Sequence, residues 1–322
     1  ETARQASTSL IAARIILRVS TATYQVEPRF ASMVDEPGGD YPGPLMTPEE
    51  QVKEVGRRAG ARVVGIAAVE AFRAKVPEGY RPEDILPGAR SVVVAGGDGP
   101  TAGAWRCPDH RVMEITGYDL RENVAVHAMC DFIETTFSYR AIQAPSLPVH
   151  GHEPPMSMMH AAELAGLGTR SLAAHIILNP EYGLLYYAAL ITTLPLEPDA
   201  PLAEPACPHP GCAAMYKRIG TTPCLRVCPA CLAGKVNDGR IQESTYDREK
   251  CHSRAQTYGI GSFQKGLLQI VNEDDPERRR TMIYGDFFTK SLQSLGFFRD
   301  SIAQCFECMR VCPVGRKYRK LE

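Results

Sequence analysis

Cys305-Phe306-Glu307-Cys308-Met309-Arg310-Val311-Cys312-Pro313 spaces three cysteines as C-x2-C-x3-C ahead of a proline, and Cys224-Leu225-Arg226-Val227-Cys228-Pro229 repeats the C-x3-C-P ending. Cys207 and Cys212 precede this second segment, and Cys231 and Cys251 follow it. Of the 11 cysteines in 322 residues, Cys107 and Cys130 alone stand outside the stretch from Cys207 to Cys312. A secreted disulfide framework would be small, loop-rich and evenly stapled. Here a cysteine-poor front of good core-forming sequence precedes a cysteine-dense back, and metal ligation explains that asymmetry better.

The spacing points to a particular metal chemistry. In bacterial-type ferredoxins a compact turn presents three thiolates to one cubane iron-sulfur cluster, while the cysteine before the proline reaches across to the other cluster. Thiolate suits iron in such clusters because it is a soft, strongly donating ligand. Proline ends the local turn. Two such segments imply two 4Fe-4S clusters. By the crossing rule, Cys207, Cys212, Cys224 and Cys312 would hold one, and Cys305, Cys308 and Cys228 the other, completed by Cys251 or Cys231. Insertions spread the first motif. Zinc would accept C-x2-C pairs but does not require a Cys-Pro exit twice. Cys224, Cys228 and Cys231 also match the spacing of radical S-adenosylmethionine enzymes, yet those place it ahead of a long βα barrel. Cys107 and Cys130 read as ordinary buried thiols.

The front half supplies the elements of a core. Residues 1–46 read as an arm, with an amphipathic stretch near Leu10 to Val19 and a Pro/Gly-rich run from Pro37 to Pro44. Thr47-Pro48-Glu49-Glu50 predicts a capping box that opens a helix stopped by Gly60. Strands are predicted at Arg62 to Val69, at the apolar run Ser91 to Ala95, at Arg140 to Ala144 and at Tyr186 to Thr193. Leu120, Val124, Ala128 and Phe132 predict a helix from Asp119 to Phe137, and a second lies near Met156 to Ala165. Strands alternating with helices predict a three-layer α/β domain over 47–200, followed by a cysteine-bearing module over 201–322.

Charge excludes little and supports less. With 36 Lys+Arg against 37 Asp+Glu, the chain has no footprint of a dedicated nucleic-acid binder outside the tail Arg316, Lys317, Arg319, Lys320. Its longest apolar stretches, such as Leu184 to Leu196, fall short of the roughly 18 residues that span a bilayer. Glu1 to Arg18 shows no leader, so the cytoplasm is expected, whose reducing conditions also spare thiolates. A removed leader stays open because the chain begins at Glu1.

Ala165-Gly166-Leu167-Gly168, Asn179-Pro180-Glu181-Tyr182-Gly183 and Leu194-Pro195-Leu196-Glu197-Pro198-Asp199, followed by the double cysteine motif, resemble the cobalamin-dependent iron-sulfur reductases, namely reductive dehalogenases and epoxyqueuosine reductases. Weaker likenesses are Ala59-Gly60-Ala61 leading to Val64-Gly65-Ile66-Ala67, and Leu86 to Val94. The resemblance covers roughly 47 to 313. It implies a nitroreductase-like α/β core holding a corrinoid against a C-terminal bacterial-type double-cluster ferredoxin module, with electrons passing through both clusters to give cobalt(I). Gly166, Leu167 and Gly168 would let backbone approach the flat macrocycle, although a plain helix cap is the simpler use of such a turn.

The resemblance also implies a proton donor, where this chain departs from both branches. The place of the epoxyqueuosine reductases' Asp holds His152 or Glu153, so action on tRNA is not expected. Tyr118 stands near the dehalogenases' Tyr, but Leu184 to Tyr187 lack that family's basic residue. A phenol near pKa 10 needs a cation or an aligned hydrogen bond to act as an acid near neutrality. His150 or His152 would serve. The expected activity is therefore reductive cleavage of a carbon-heteroatom bond, most plausibly carbon-halogen, in a small-molecule substrate such as an organohalide, driven by an external low-potential donor. Rival readings are an epoxyqueuosine reductase-like tRNA-modifying enzyme, a non-catalytic iron-sulfur electron carrier and a corrinoid reductase.

Overall fold

The computed structural model describes residues 46–98, 101–108, 121–145, 155–228, 230–247, 250–251, 260–294 and 307–319. In the front half the helices are α1 (Pro48–Arg58), α2 (Val69–Arg73), α3 (Pro82–Ile85), α4 (Ala102–Arg106), α5 (Arg121–Phe132) and α6 (Met158–Leu164). The strands are β1 (Val63–Ala68), β2 (Ser91–Asp98), β3 (Ala141–Gln143), β4 (Thr169–Arg170), β5 (Ile177–Asn179) and β6 (Gly183–Thr192). The back half adds α7 (Pro210–Ile219), α8 (Pro223–Val227), the hairpin β7 (Leu232–Asn237) and β8 (Arg240–Tyr246), then α9 (Ile260–Val271), α10 (Pro276–Tyr284), α11 (Asp286–Ser294) and α12 (Glu307–Arg310).

Local chemistry sets the first boundaries. The Thr47 hydroxyl accepts from Glu50 N at 3.3 Å and the Glu50 carboxylate accepts from Thr47 N at 3.0 Å, so the predicted capping box starts α1. Strand β2 runs beyond its expected exit, because Gly96 and Gly97 are there for close packing and not for a turn. A Cβ on Gly96 would stand 2.8 Å from Val63 Cγ2, and one on Gly97 2.6 Å from Glu122 Oε2. Helix α5 continues into a wider π-helical turn, Ile133–Phe137, and Ser138 closes it in the left-handed region at φ 59°.

The sheet order is β1-β2-β6-β5-β4, with β3 also on β6, and every pairing described is antiparallel. Alternation along β2 divides the core. Val92 and Val94 join Phe72 of α2 and Ala161 and Ala162 of α6, whereas Val93 and Ala95 join Val52 of α1 and Ala125 and Met129 of α5. Helices thus cover both faces, as the three-layer expectation required, around a sheet that is antiparallel.

The motifs behind the family resemblance act as architecture. The buried Asn179 amide donates to Leu167 O at 2.9 Å while its oxygen accepts from Glu181 N and Tyr182 N at 3.0 Å, which locks two motifs together. Asp199 accepts from Ile66 N at 2.8 Å and from Lys53 Nζ at 2.6 Å, tying the third motif to β1 and α1. Ser91 Oγ accepts from Leu196 N at 2.9 Å. No helix among the described residues is long and apolar enough to cross a membrane.

Candidate functional site

Cys207, Cys212, Cys224 and Cys312 line one cavity, together with apolar side chains such as Leu172 and Leu178 and the polar Ser171, His209 and Thr222. Each thiol is placed by a short local device. Ala206 N donates to Thr169 Oγ1 at 2.8 Å, which pins the approach to Cys207. Pro210 opens α7 and His209 caps it, its Nδ1 accepting from Gly211 N at 3.2 Å, so Cys212 sits in the first turn. Thr222 and Pro223 do the same for α8, and Thr222 Oγ1 lies 3.2 Å from Cys224 Sγ. Cys312 follows α12, whose residues Cys308 and Met309 are buried.

Burial pushes the Cys207 thiol up to about 12 and Cys212 up to about 11, and it raises Cys224 and Cys312 as well. Repulsion adds to this at Cys207 and Cys212, where the charges of Cys312 and Cys224 act against ionisation. Four such thiols become thiolates together only beside a cation, which is what bound metal supplies. The four thiols share one cavity. Among the described residues, no three His, Cys, Asp or Glu side chains are set to hold a single metal ion.

A second group adjoins the first. Cys228, Cys231, Cys251 and Cys308 are buried in the same apolar cluster as Cys224 and Cys312. The Cys308 thiol is pushed up by burial and then by the charges of Cys224, Cys251, Cys228 and Cys312. Cys228 N donates to Cys224 O at 3.1 Å. Asp247 bridges the two alternatives for the last ligand, its N donating to Cys231 O at 2.8 Å and its O accepting from Cys251 N at 3.1 Å. Cys305 lies outside the described residues, as do Tyr118, His150, His152 and Glu153. Cys130 sits on α5, away from these thiols, whereas Cys107 packs against the cysteine-rich cluster and its carbonyl accepts from Arg310 Nη2 at 2.7 Å.

The Ala-Gly-Leu-Gly turn is committed to protein packing. Gly166 has φ +69° and its missing Cβ makes room for Ala200 O; a Cβ on Gly168 would stand 2.6 Å from Leu178 O. Leu167 is part of the buried core. These residues line neither of the two cavities described here.

The larger cavity, about 770 Å³, lies where β1 starts, β2 ends and β6 starts, against the C-terminal segment. Arg62, Asp98, Trp105, Arg121, Leu185 and Arg319 line it. Arg62 holds Asp98 through two bonds of 2.9 and 2.6 Å, which keep that carboxyl below the usual range. Arg121 Nη1 adds a third bond to Asp98 at 3.2 Å. Sequence reasoning missed this lining because its members are scattered singly, and because Arg319 sits in a basic tail that reads as a solvated end.

No family model matches the chain, and no curated protein matches it. Solved structures do. The epoxyqueuosine reductase of Bacillus subtilis is 19% identical over 83% of this chain and 65% of that chain, at a TM-score of 0.45. That of Streptococcus thermophilus is 16% identical over 84% of this chain and 67% of that one, at 0.44. A reductive dehalogenase described as performing B12-dependent dehalogenation is 19% identical over 86% of this chain and 39% of that chain, at 0.46. The structural neighbours are thus reductases of two kinds, longer than this chain.

Proposed function

We propose that the chain is a corrinoid-dependent iron-sulfur reductase that cleaves a carbon-heteroatom bond, carbon-halogen in the leading reading, in a small organic substrate. The observation that carries this reading is the four thiols that line one cavity, Cys207 half-buried and Cys212, Cys224 and Cys312 buried, beside a second buried thiol group. Four cysteine sulfurs on one cavity are the donor set that a cubane cluster takes, and its positive iron would supply the charge that ionised sulfur requires. The second cluster would take Cys228, Cys305 and Cys308 with Cys251 or Cys231.

The larger cavity combines charged and apolar lining and touches the C-terminal segment through Arg319. Arg62, Asp98, Trp105 and Leu185 would meet a corrinoid there, and that group would supply a low-potential two-electron reductant. The chain's own residues carry the rest. Leu184 and Leu185 give the cavity an apolar side that limits water. Tyr118, His152 and Glu153 are the proposed sources of the proton. The reaction balances as substrate C–X plus two electrons and one proton giving C–H and X⁻, the electrons coming from an external low-potential donor.

The test is oxidation of reduced methyl viologen by iron-loaded, corrinoid-supplemented protein against a panel of organohalides. Oxidation that depends on the organohalide is expected. Turnover of epoxyqueuosine-containing tRNA instead would move the chain to the tRNA-modifying alternative, and fully iron-loaded protein that takes up no corrinoid would reduce it to an electron carrier.

A further inference from the structure

Arg319 is 6% exposed, and no carboxylate among the described residues pairs with it. Its Nη1 donates to Met309 O and its Nη2 to Cys312 O, with Val314 O at 3.3 Å from Nη2. The guanidinium carbon lies 5.2 Å from the centre of the Trp105 ring, and Nε is buried with no hydrogen-bond partner. Carbonyls and an indole face satisfy dipoles; they do not neutralise a charge. An isolated buried cation costs several kcal/mol, so a buried anion is required close by. The segment that Arg319 holds carries Cys312, whose carbonyl accepts from its Nη2.

We propose that Arg319 is the fixed countercharge of the cluster held by Cys207, Cys212, Cys224 and Cys312, and that it sets the reduction potential of that cluster. The proposal rests on the iron-sulfur reading above. A cubane bound by four thiolates is negative, and reduction adds one more electron without forming or breaking a bond or moving a proton. A cation held by the backbone of the ligand segment favours the reduced state. Its rigidity matters, because a charge clamped by Met309, Cys312 and Val314 cannot withdraw as the cluster changes charge. Arg319 also lines the larger cavity.

A role limited to capping carbonyls is separable from this one. Arg319→Gln keeps a donor for the carbonyls and removes the charge; Arg319→Lys keeps the charge. Dithionite titration of the iron-loaded full chain, followed by electron paramagnetic resonance, reads the potential of each cluster without reference to activity. The Gln variant is expected to lower one potential, with the oxidised-to-reduced ratio at fixed potential rising about tenfold, or about 59 mV for a one-electron couple. The Lys variant is expected to stay near the parent value. An unchanged potential in an iron-replete Gln variant overturns the proposal. If the Gln variant retains no iron, the Lys variant decides: a potential held near the parent supports the countercharge, and a fall overturns it. Parent protein with no cluster signal would instead sink the iron-sulfur reading.

Discussion

Asn179 makes three hydrogen bonds from a buried position, one to Leu167 O and two from the turn at Glu181 and Tyr182. Replacing it with Ala leaves a carbonyl and two amides unsatisfied, so a loss of about 2–4 kcal/mol is expected in urea unfolding. A loss near zero would mean water replaces the amide. Cys224 and Cys130 make a contrasting pair. Cys224→Ala is expected to remove about half the iron per chain, and Cys130→Ala none, as read by metal analysis. Cys130 carries its own pH signal, since burial and then Glu134 push its thiol up to about 12. A pKa raised on folding stabilises below the unfolded value of about 8.5 and is lost as pH rises toward the folded one. Between pH 8 and 11 the parent protein should therefore lose more stability than Cys130→Ala. Equal losses would contradict the burial of this thiol.

At the level of elements, the contact that docks the cysteine-bearing end on the sheet is glycine against glycine. Gly183 at the start of β6 has φ +76° and Gly315 has φ +68°. A Cβ on Gly183 would meet Val314 O and lie 3.1 Å from Gly315 Cα. Gly183→Ala is expected to cost about 1–3 kcal/mol and to loosen Cys312, measured as lower thermal stability and faster iron loss to a chelator. What sequence made legible follows local rules. Helix α1 was readable from Thr47 and Glu50, and β2 from its unbroken apolar run. Its end was not, because Gly96 and Gly97 serve packing against Val63 and Glu122, which lie far away in sequence. The β7–β8 hairpin turns at Asp238-Gly239 with both φ values positive, a strong local signal that cysteine spacing overshadowed. The cysteine motifs were legible because their spacing is local, and the structure brings Cys207, Cys212, Cys224 and the distant Cys312 to the lining of one cavity. The Arg62–Asp98–Arg319 lining was not, being assembled from β1, β2 and the tail.

Across the whole molecule, an antiparallel sheet with helices on both faces carries two groups of buried thiols on one side and a charged cavity next to them. The sheet's core is expected to stand independently of metal, since both helical layers pack on it mainly through apolar side chains and the sequence's clustered cysteines lie outside it. The thiol region is expected to depend on metal, because Cys224, Cys228, Cys231, Cys251, Cys308 and Cys312 stand among the buried residues of its cluster. Removing iron with a strong chelator should therefore open the segment around α8 and α12 to proteolysis while leaving β1, β2 and β6 protected from hydrogen exchange. Uniform protection loss would contradict that division. The most direct test of the central claim is the iron and acid-labile sulfide content of anaerobically prepared protein: two cubanes predict about eight of each per chain, whereas zinc in their place, or iron for a single cluster, would contradict the account.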